Sequence, residues 1–437
     1  MASSEQVRRV LLRLVTSLLN LIIGPAGAWA AGGLVGIFLY ACVHTIAKTV
    51  SAEIASRSGR SAKFGYRISP IFLFAGGCTP LINGSWEVYV LVVPLLLGIF
   101  EGLFWVAFHG YREADMINQR SKNKSYDSLD LDQLEDQCIL RGGALEAGRR
   151  YGQQELVSML KRLDEKESLK RFQAYEVTST ILASLIVIAL TFADYDRYGA
   201  VLGSLLSLIA VSIPISEEIV DARVGYSKNE ITGIAIDGQI TSASYGNMSF
   251  LTLWSMRVIS LEYGGVALLG AMVAVSTLLG FLIKESNEKR AREISNDKTV
   301  RNEAGVSADR RNWLLGNYLT LIGTASMLAA LILGKYQICL IAYVVFECGA
   351  NGILRPMEIE IAGSRLKGGD AIGLRERIKF RNHSKALLYY SLLALIMWVV
   401  AARPVNIAVL LAPALILAIL FCLHNIIYAN VLTPRHA

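Results

Sequence analysis

The chain has 437 residues, 53% of them apolar and 18% charged, with a formal net charge of +7. Its mean hydropathy of +0.44 leaves too little polar surface to keep a chain of this length dispersed in water, so the expected class is an all-α integral membrane protein with lipid as its solvent. The basic excess is spread over the connections between apolar runs instead of gathering on one face, which excludes nucleic acid as a partner.

Uncharged runs long enough to cross the hydrocarbon predict twelve transmembrane helices, near 8–24, 28–50, 68–84, 87–109, 174–193, 197–215, 243–262, 264–284, 314–333, 336–354, 384–402 and 405–430. Val10–Ile23 follows the basic Arg8, Arg9 and Arg13 and runs directly into a second apolar arm, so it reads as a retained first span and not as a cleaved signal. The spans pair as six hairpins with short turns at Pro25-Ala26-Gly27, Asn83-Gly84-Ser85, Asp194-Tyr195-Asp196, Tyr263, Gly334-Lys335 and Arg403-Pro404. All long connections lie on the opposite side. The short turns hold only Arg197, Lys335 and Arg403, while most of the 43 lysines and arginines fall in the long connections. That asymmetry places both termini and the long connections in the cytoplasm, with a bacterial inner (cell) membrane as the expected location.

The connection at 111–172 reads as helical. Leu129, Leu131 and Leu134 begin one amphipathic stretch, Gly142-Gly143 interrupts it, and Leu156, Leu160 and Leu163 mark a second apolar face. This predicts a cytoplasmic cap on the bundle, with docking of a protein partner as the competing use. The six cysteines are not spaced as metal ligands, and five lie in or beside apolar segments, as small buried hydrophobes do. No metal and no cofactor are expected.

After the second span comes Ala52-Glu53-Ile54-Ala55-Ser56-Arg57-Ser58-Gly59-Arg60-Ser61-Ala62-Lys63-Phe64. It resembles the loop signature of the major facilitator superfamily, G-x-L-A-D-R-x-G-R-[RK]-x-x-[LI]. Arg57, Gly59 and Arg60 match, while Ser56 stands at the usual Asp and Ala52 at the leading Gly. Gly280-Phe281-Leu282-Ile283-Lys284-Glu285, leaving the eighth span, echoes the signature where it should recur. Phe100-Glu101-Gly102 in span four is similarly echoed by Phe346-Glu347-Cys348 in span ten. The resemblance implies two pseudo-symmetric six-helix halves, 1–217 with the helical insertion and 218–437. It also implies a secondary transporter that moves a small solute by alternating access, with H+ as a candidate coupling ion. Gly98 stands where proton-coupled members carry Arg in R-x-x-[QE]-G. Span five lacks the glycine-proline motif of the drug antiporters.

A charge deep in the bilayer costs about 2.5–3.5 kcal/mol on insertion scales, so it needs water, a partner or a task. Glu101, Glu347 and Arg257 stand deep in spans four, ten and seven, and Arg13, Ser17 and Asn20 form a polar stripe on span one. The resemblance implies that these four helices line the central cavity. The substrate and coupling candidates are therefore Glu101, Glu347, Arg257, Arg13 and Asn20. Their bland reading is that the acids are pinned by neighbouring helices and that Arg257 anchors at the interface near Glu262. Leu103, Phe104 and Trp105 disfavour a charge on Glu101 and suit it to proton exchange, whereas Cys348, Gly349 and Asn351 suit Glu347 to holding a solute group. Asn351, Arg355, Glu358 and Glu360 are candidates for gate pairs, and His44, His109 and His424 for helix contacts. Two rival functions are weighed. An enzyme on lipid-linked substrates would need an acidic metal motif, for which Asp194 and Asp196 form the only outer pair. A non-transporting receptor or scaffold would work through 111–172. The expected answer is a transporter, not an enzyme.

Overall fold

The computed structural model describes residues 4–19, 24–55, 59–82, 84–122, 126, 129–140, 150–190, 195–212, 257–283, 286, 301–354 and separate positions between 412 and 427. The described residues form helices α1 (Ser4–Thr16), α2 (Gly24–Ala55), α3 (Gly59–Ile82), α4 (Val93–Lys122), α5 (Leu131–Leu140), α6 (Gln153–Leu190), α7 (Tyr195–Ser212), α8 (Arg257–Ile283), α9 (Arg301–Ile332) and α10 (Tyr336–Glu347). Among the described residues, five stretches are long and apolar enough to cross a membrane: Val10–Gly33, Val35–Ala55, Val88–Ala107, Arg257–Ile283 and Leu314–Ile332. Val177–Leu190 and Tyr336–Ala350 are shorter apolar helices. The expected eleventh span, most of the seventh and parts of the twelfth lie outside the described residues.

Backbone amides in lipid must be satisfied within the chain, which is why the apolar runs resolve into helices. Their outer faces carry exposed Ile54, Ile71, Leu205, Leu282, Ile322 and Ile341. Apolar surface of that extent is stable only against lipid or a partner. The chain is a multi-pass membrane protein.

The first hairpin does not turn where Pro25-Ala26-Gly27 suggests. α2 continues through those residues and breaks at Gly33, at φ 56° and ψ −142°. A Cβ on Gly24 would lie against the Tyr40 hydroxyl, and one on Gly36 against the Ala28 carbonyl, so residues 24–32 run back along the chain that follows. Pro25 is the second residue of its helix, where the missing N–H has no intrahelical acceptor to serve and the fixed φ suits entry. Only glycine takes Gly33's dihedrals without strain. The first two candidate spans are accordingly bounded at Gly33, as Val10–Gly33 and Val35–Ala55. Gly334, at φ 66°, turns the chain at the expected Gly334-Lys335. α8 is broken at Gly265, at φ 64°, two residues past the expected turn at Tyr263.

α4 makes extensive contact with both α2 and α3, α3 with α7, α1 with α6 and α7, and α9 with α10. One buried cluster runs through all of them, from Leu12 and Phe38 through Phe100, Val187 and Leu269 to Phe346 and Cys422. Gly270 of α8 lies in close approach to Ser184 and Ile188 of α6.

The 111–172 connection is helical along much of its described length. α4 extends beyond its apolar part to Lys122, and α6 begins at Gln153, well before its apolar part. α5 opens with a capping box in which the Gln133 amide donates to Asp130 Oδ1 (2.8 Å) and the Asp130 amide to Gln133 Oε1 (3.3 Å). Glu155 closes the start of α6 similarly, accepting from the Gly152 amide at 3.2 Å. Tyr126, Leu134, Cys138, Leu156, Val157 and Leu160 bury one another in a second core. Leu131, expected on the buried face, is 47% exposed, and Cys138 fills that face instead.

Candidate functional site

Span four reaches span two through two glycines one helical turn apart. A Cβ on Gly98 would press on the His44 carbonyl and Ala47, and one on Gly102 on Ser51, the Lys48 carbonyl and Ala52. Such small-residue pairs let helix backbones meet in lipid, where packing and not water exclusion drives association. Residue 101 lies three residues from Gly98 and so borders this face. The contact therefore sets the Glu101 carboxylate among the polar side chains of span two.

Lys48 Nζ lies 2.7 Å from Glu101 Oε2, and His44 Nε2 lies 3.7 Å from the same oxygen. Glu101 is 5% exposed and His44 is 7% exposed. One turn further along span two, Tyr40 stacks on His44, with ring centroids 6.0 Å apart and planes 4° from parallel. The apolar sequence neighbours of Glu101 point elsewhere: Phe104 stacks with Phe100 and Tyr66, and meets Trp105 edge-on. The surroundings expected from Leu103, Phe104 and Trp105 are thus corrected, because the group facing this carboxylate is an ammonium on another helix.

Arg13 and Ser17 of the span-one stripe diverge. Arg13 lays its guanidinium over Trp105, 4.7 Å from the ring centroid, and stays within electrostatic reach of Glu101. Ser17 turns to span five, its hydroxyl 3.4 Å from that of Thr180. Asn20 lies outside the described residues.

Arg257, at the start of the described part of α8, is 4% exposed. Tyr40, Tyr343 and Glu101 lie within its electrostatic range. Tyr343 of α10 donates to Glu347 Oε1 at 2.7 Å. Glu347 is 5% exposed. Two interior polar groups result: Lys48, His44 and Tyr40 gathered at Glu101, and Tyr343 at Glu347, with buried Arg257 within electrostatic range of Tyr40, Glu101 and Tyr343. Span ten ends in a π-helical segment, Cys348–Leu354, directly after Glu347, and span four begins with another, Val88–Val92, before Pro94. Pro94 has no N–H for the carbonyl four residues back, which accounts for the second of these.

Sequence reasoning took the charged residues of these groups as site candidates except Lys48, and gave no role to Tyr40 and Tyr343. The tyrosines carry a usable signal. Tyr40-x-x-x-His44 and Tyr343-x-x-x-Glu347 each set a hydroxyl one turn before an ionisable group on one helix face. In the loop motif, Gly59 opens α3 and Arg60 follows in its first turn, while Arg57 lies outside the described residues. Arg355, Glu358 and Glu360 lie outside them as well.

No protein-family model and no curated protein matches the chain in sequence. Solved structures match it along its length. A POT family transporter in complex with 5-aminolevulinic acid matches with a TM-score of 0.60 at 11% identity, covering 98% of this chain and 96% of that one. A bacterial homologue of the iron transporter ferroportin, in an outward-facing state with soaked iron, gives 0.57 at 14%, covering 98% of each. The nucleoside transporter NupG, in a point-mutant form, gives 0.53 at 10%, again with 98% of each. At such identities the agreement is one of fold, and the chain has the fold of secondary transporters of the major facilitator superfamily.

Proposed function

We propose that the protein is a secondary transporter that carries a small solute across the membrane by alternating access, as residues 1–217 rock against residues 218–437. The observation that carries this reading is the pair of interior polar groups. Lys48, Glu101 and Tyr40 come from the first half and Tyr343 and Glu347 from the second, with buried Arg257 of the second half within electrostatic range of both groups. A transporter needs its binding groups near the midplane, shared between two bodies that open alternately. A structural bundle has no use for five charges drawn into its interior, each of which costs several kcal/mol to desolvate. The neighbours of similar fold are transporters by name, which favours this reading over an enzyme on lipid-linked substrates. H+ is a candidate coupling ion because a buried carboxylate beside a histidine offers a place to hold a proton. The termini and the α5–α6 cap are assigned to the cytoplasm on the lysine and arginine asymmetry.

The test is uptake and counterflow of a panel of labelled metabolites in proteoliposomes, with and without an imposed pH gradient. The reading expects at least one solute to enter in a saturable way that protein-free vesicles do not support. Orientation is checked in right-side-out membranes with single cysteines in a cysteine-free background. Ser85 and Asp196 should react with an impermeant thiol reagent, and Ser125 and Ser286 should not. Labelling of Ser125 from outside would reverse the orientation.

A further inference from the structure

His44 stands in the middle of the second span, 7% exposed, and its Nε2 is a buried atom with no hydrogen bond. A buried polar atom in that condition marks a place for a proton, an ion or a change of partner. Glu101 Oε2 faces it at 3.7 Å, roughly 0.5 Å beyond the length of an N–H···O bond. The same oxygen is held at 2.7 Å by Lys48 Nζ. Lys48 and His44 lie one turn apart on one helix, so a single carboxylate oxygen stands within reach of two donors from span two. The ring is fixed in this position. Tyr40 stacks on it with planes 4° from parallel, and Gly98 of span four presses on the His44 carbonyl, where a side chain would not fit.

Resting on the transporter reading above, we propose that His44 takes up the coupling proton on Nε2, and that the protonated ring closes onto Glu101 Oε2. The choice between histidine and carboxylate follows from Lys48. A proton on Glu101 would take away the anion that the Lys48 ammonium faces, and breaking one side of a buried ion pair is costly. A proton on His44 leaves that pair intact and adds a charge-assisted N–H···O bond to the same carboxylate. No covalent bond between heavy atoms forms or breaks: the imidazole lone pair binds H+ and the site gains one positive charge. The titratable and charged groups around the ring are Glu101, Lys48 and Tyr40, with Arg257 in electrostatic range of the ring and Arg13 in range of Glu101. Of these, Arg257 alone comes from the second half. Rocking of the halves therefore changes its distance from the ring, and with it the cost of holding the proton. Glu101 and Lys48 move with His44, because the Gly98 and Gly102 contact ties spans two and four together. Proton binding thereby depends on which side of the membrane is open.

The test reads the proton directly. Replacing His109, His383, His424 and His436 by Gln leaves His44 as the only one of the five histidines, and its ring is followed by carbon NMR of labelled histidine from pH 4 to 9. The expected result is one titration in that range. Adding Glu101→Gln should move its midpoint to lower pH by about one unit or more, because the anion facing the ring is gone. In a second measurement, spin labels at Lys122 and Arg301 report the ratio of short to long distances as the pH is changed, with no solute present. His44→Gln should cut that pH response at least tenfold while both distances remain. A ring that does not titrate, a midpoint unmoved by Glu101→Gln, or a full pH response in His44→Gln each overturns the assignment of the proton to His44. If His44→Gln does not fold, the titration decides alone. These readouts need no transported solute, so their failure leaves the transporter reading standing, and that reading fails separately if no labelled metabolite enters proteoliposomes.

Discussion

Lys48 and Glu101 make an ion pair of 2.7 Å in which the carboxylate side chain is 7% exposed and the ammonium side chain 18%. Removing one partner of such a pair strands the other in a medium that solvates charge poorly, and that penalty exceeds the net worth of the intact pair. Lys48→Met should therefore lower stability by about 3 kcal/mol, seen as an earlier melt in detergent. Lys48→Met with Glu101→Gln should recover most of the loss, because no unmatched charge remains. A double variant no more stable than the single one would show that Lys48 acts through its packing alone. At this scale the sequence disclosed which positions were unusual and not what they faced. A carboxylate in an apolar run is visible in one dimension, and so are Glu347 and Arg257. The ammonium beside Glu101 comes from a residue 53 positions earlier, and that pairing depends on how two helices are set against each other.

Those helices are set by glycine. Gly98 and Gly102 have almost no room for a side chain, since His44 and Ala47 occupy the space beside the first and Ser51, Lys48 and Ala52 that beside the second. Gly102→Leu should push span four off span two and separate Lys48 from Glu101. We expect loss of most folded protein on size exclusion, because overpacking against backbone cannot be relieved by a rotamer change. Gly84→Ala is the control: its Cβ would meet only Tyr89, at 3.9 Å, and the protein should fold as before. The α5–α6 cap forms a core of its own and should respond separately from the spans. Leu160→Ala in that core should make 111–172 more sensitive to protease by loosening a site that is fully buried. The melt of the spans should stay in place. Apolar run lengths made the spans legible, and leucine spacing made the cap legible. Turn positions were less so. Pro25 looks like a breaker in sequence, but proline at the entry of a helical segment is no obstacle, and the reversal waits for Gly33. Leu131 was misassigned for a related reason: spacing gives the period of a face, while its phase is fixed by the α6 residues it meets.

At the scale of the whole molecule, similarity of fold to transporters at 10–14% identity shows that the architecture survives almost complete change of sequence. On the proposed reading the solute is decided by the few buried polar residues, while Gly98 and Ser56 stand where the resembled signatures carry an arginine and an aspartate. The central claim is that the two halves rock around the interior polar groups, and it predicts opposite movements on the two sides of the membrane. Spin labels at Gly84 and Lys335 report on the short-turn side, and labels at Lys122 and Arg301 on the long-loop side. Pulsed dipolar distances in nanodiscs should show two populations on each side. A transported solute or a change of pH should lengthen one pair's mean distance as it shortens the other's, by several ångströms. A single distance on each side, unmoved by solute and pH, would contradict alternating access in this protein.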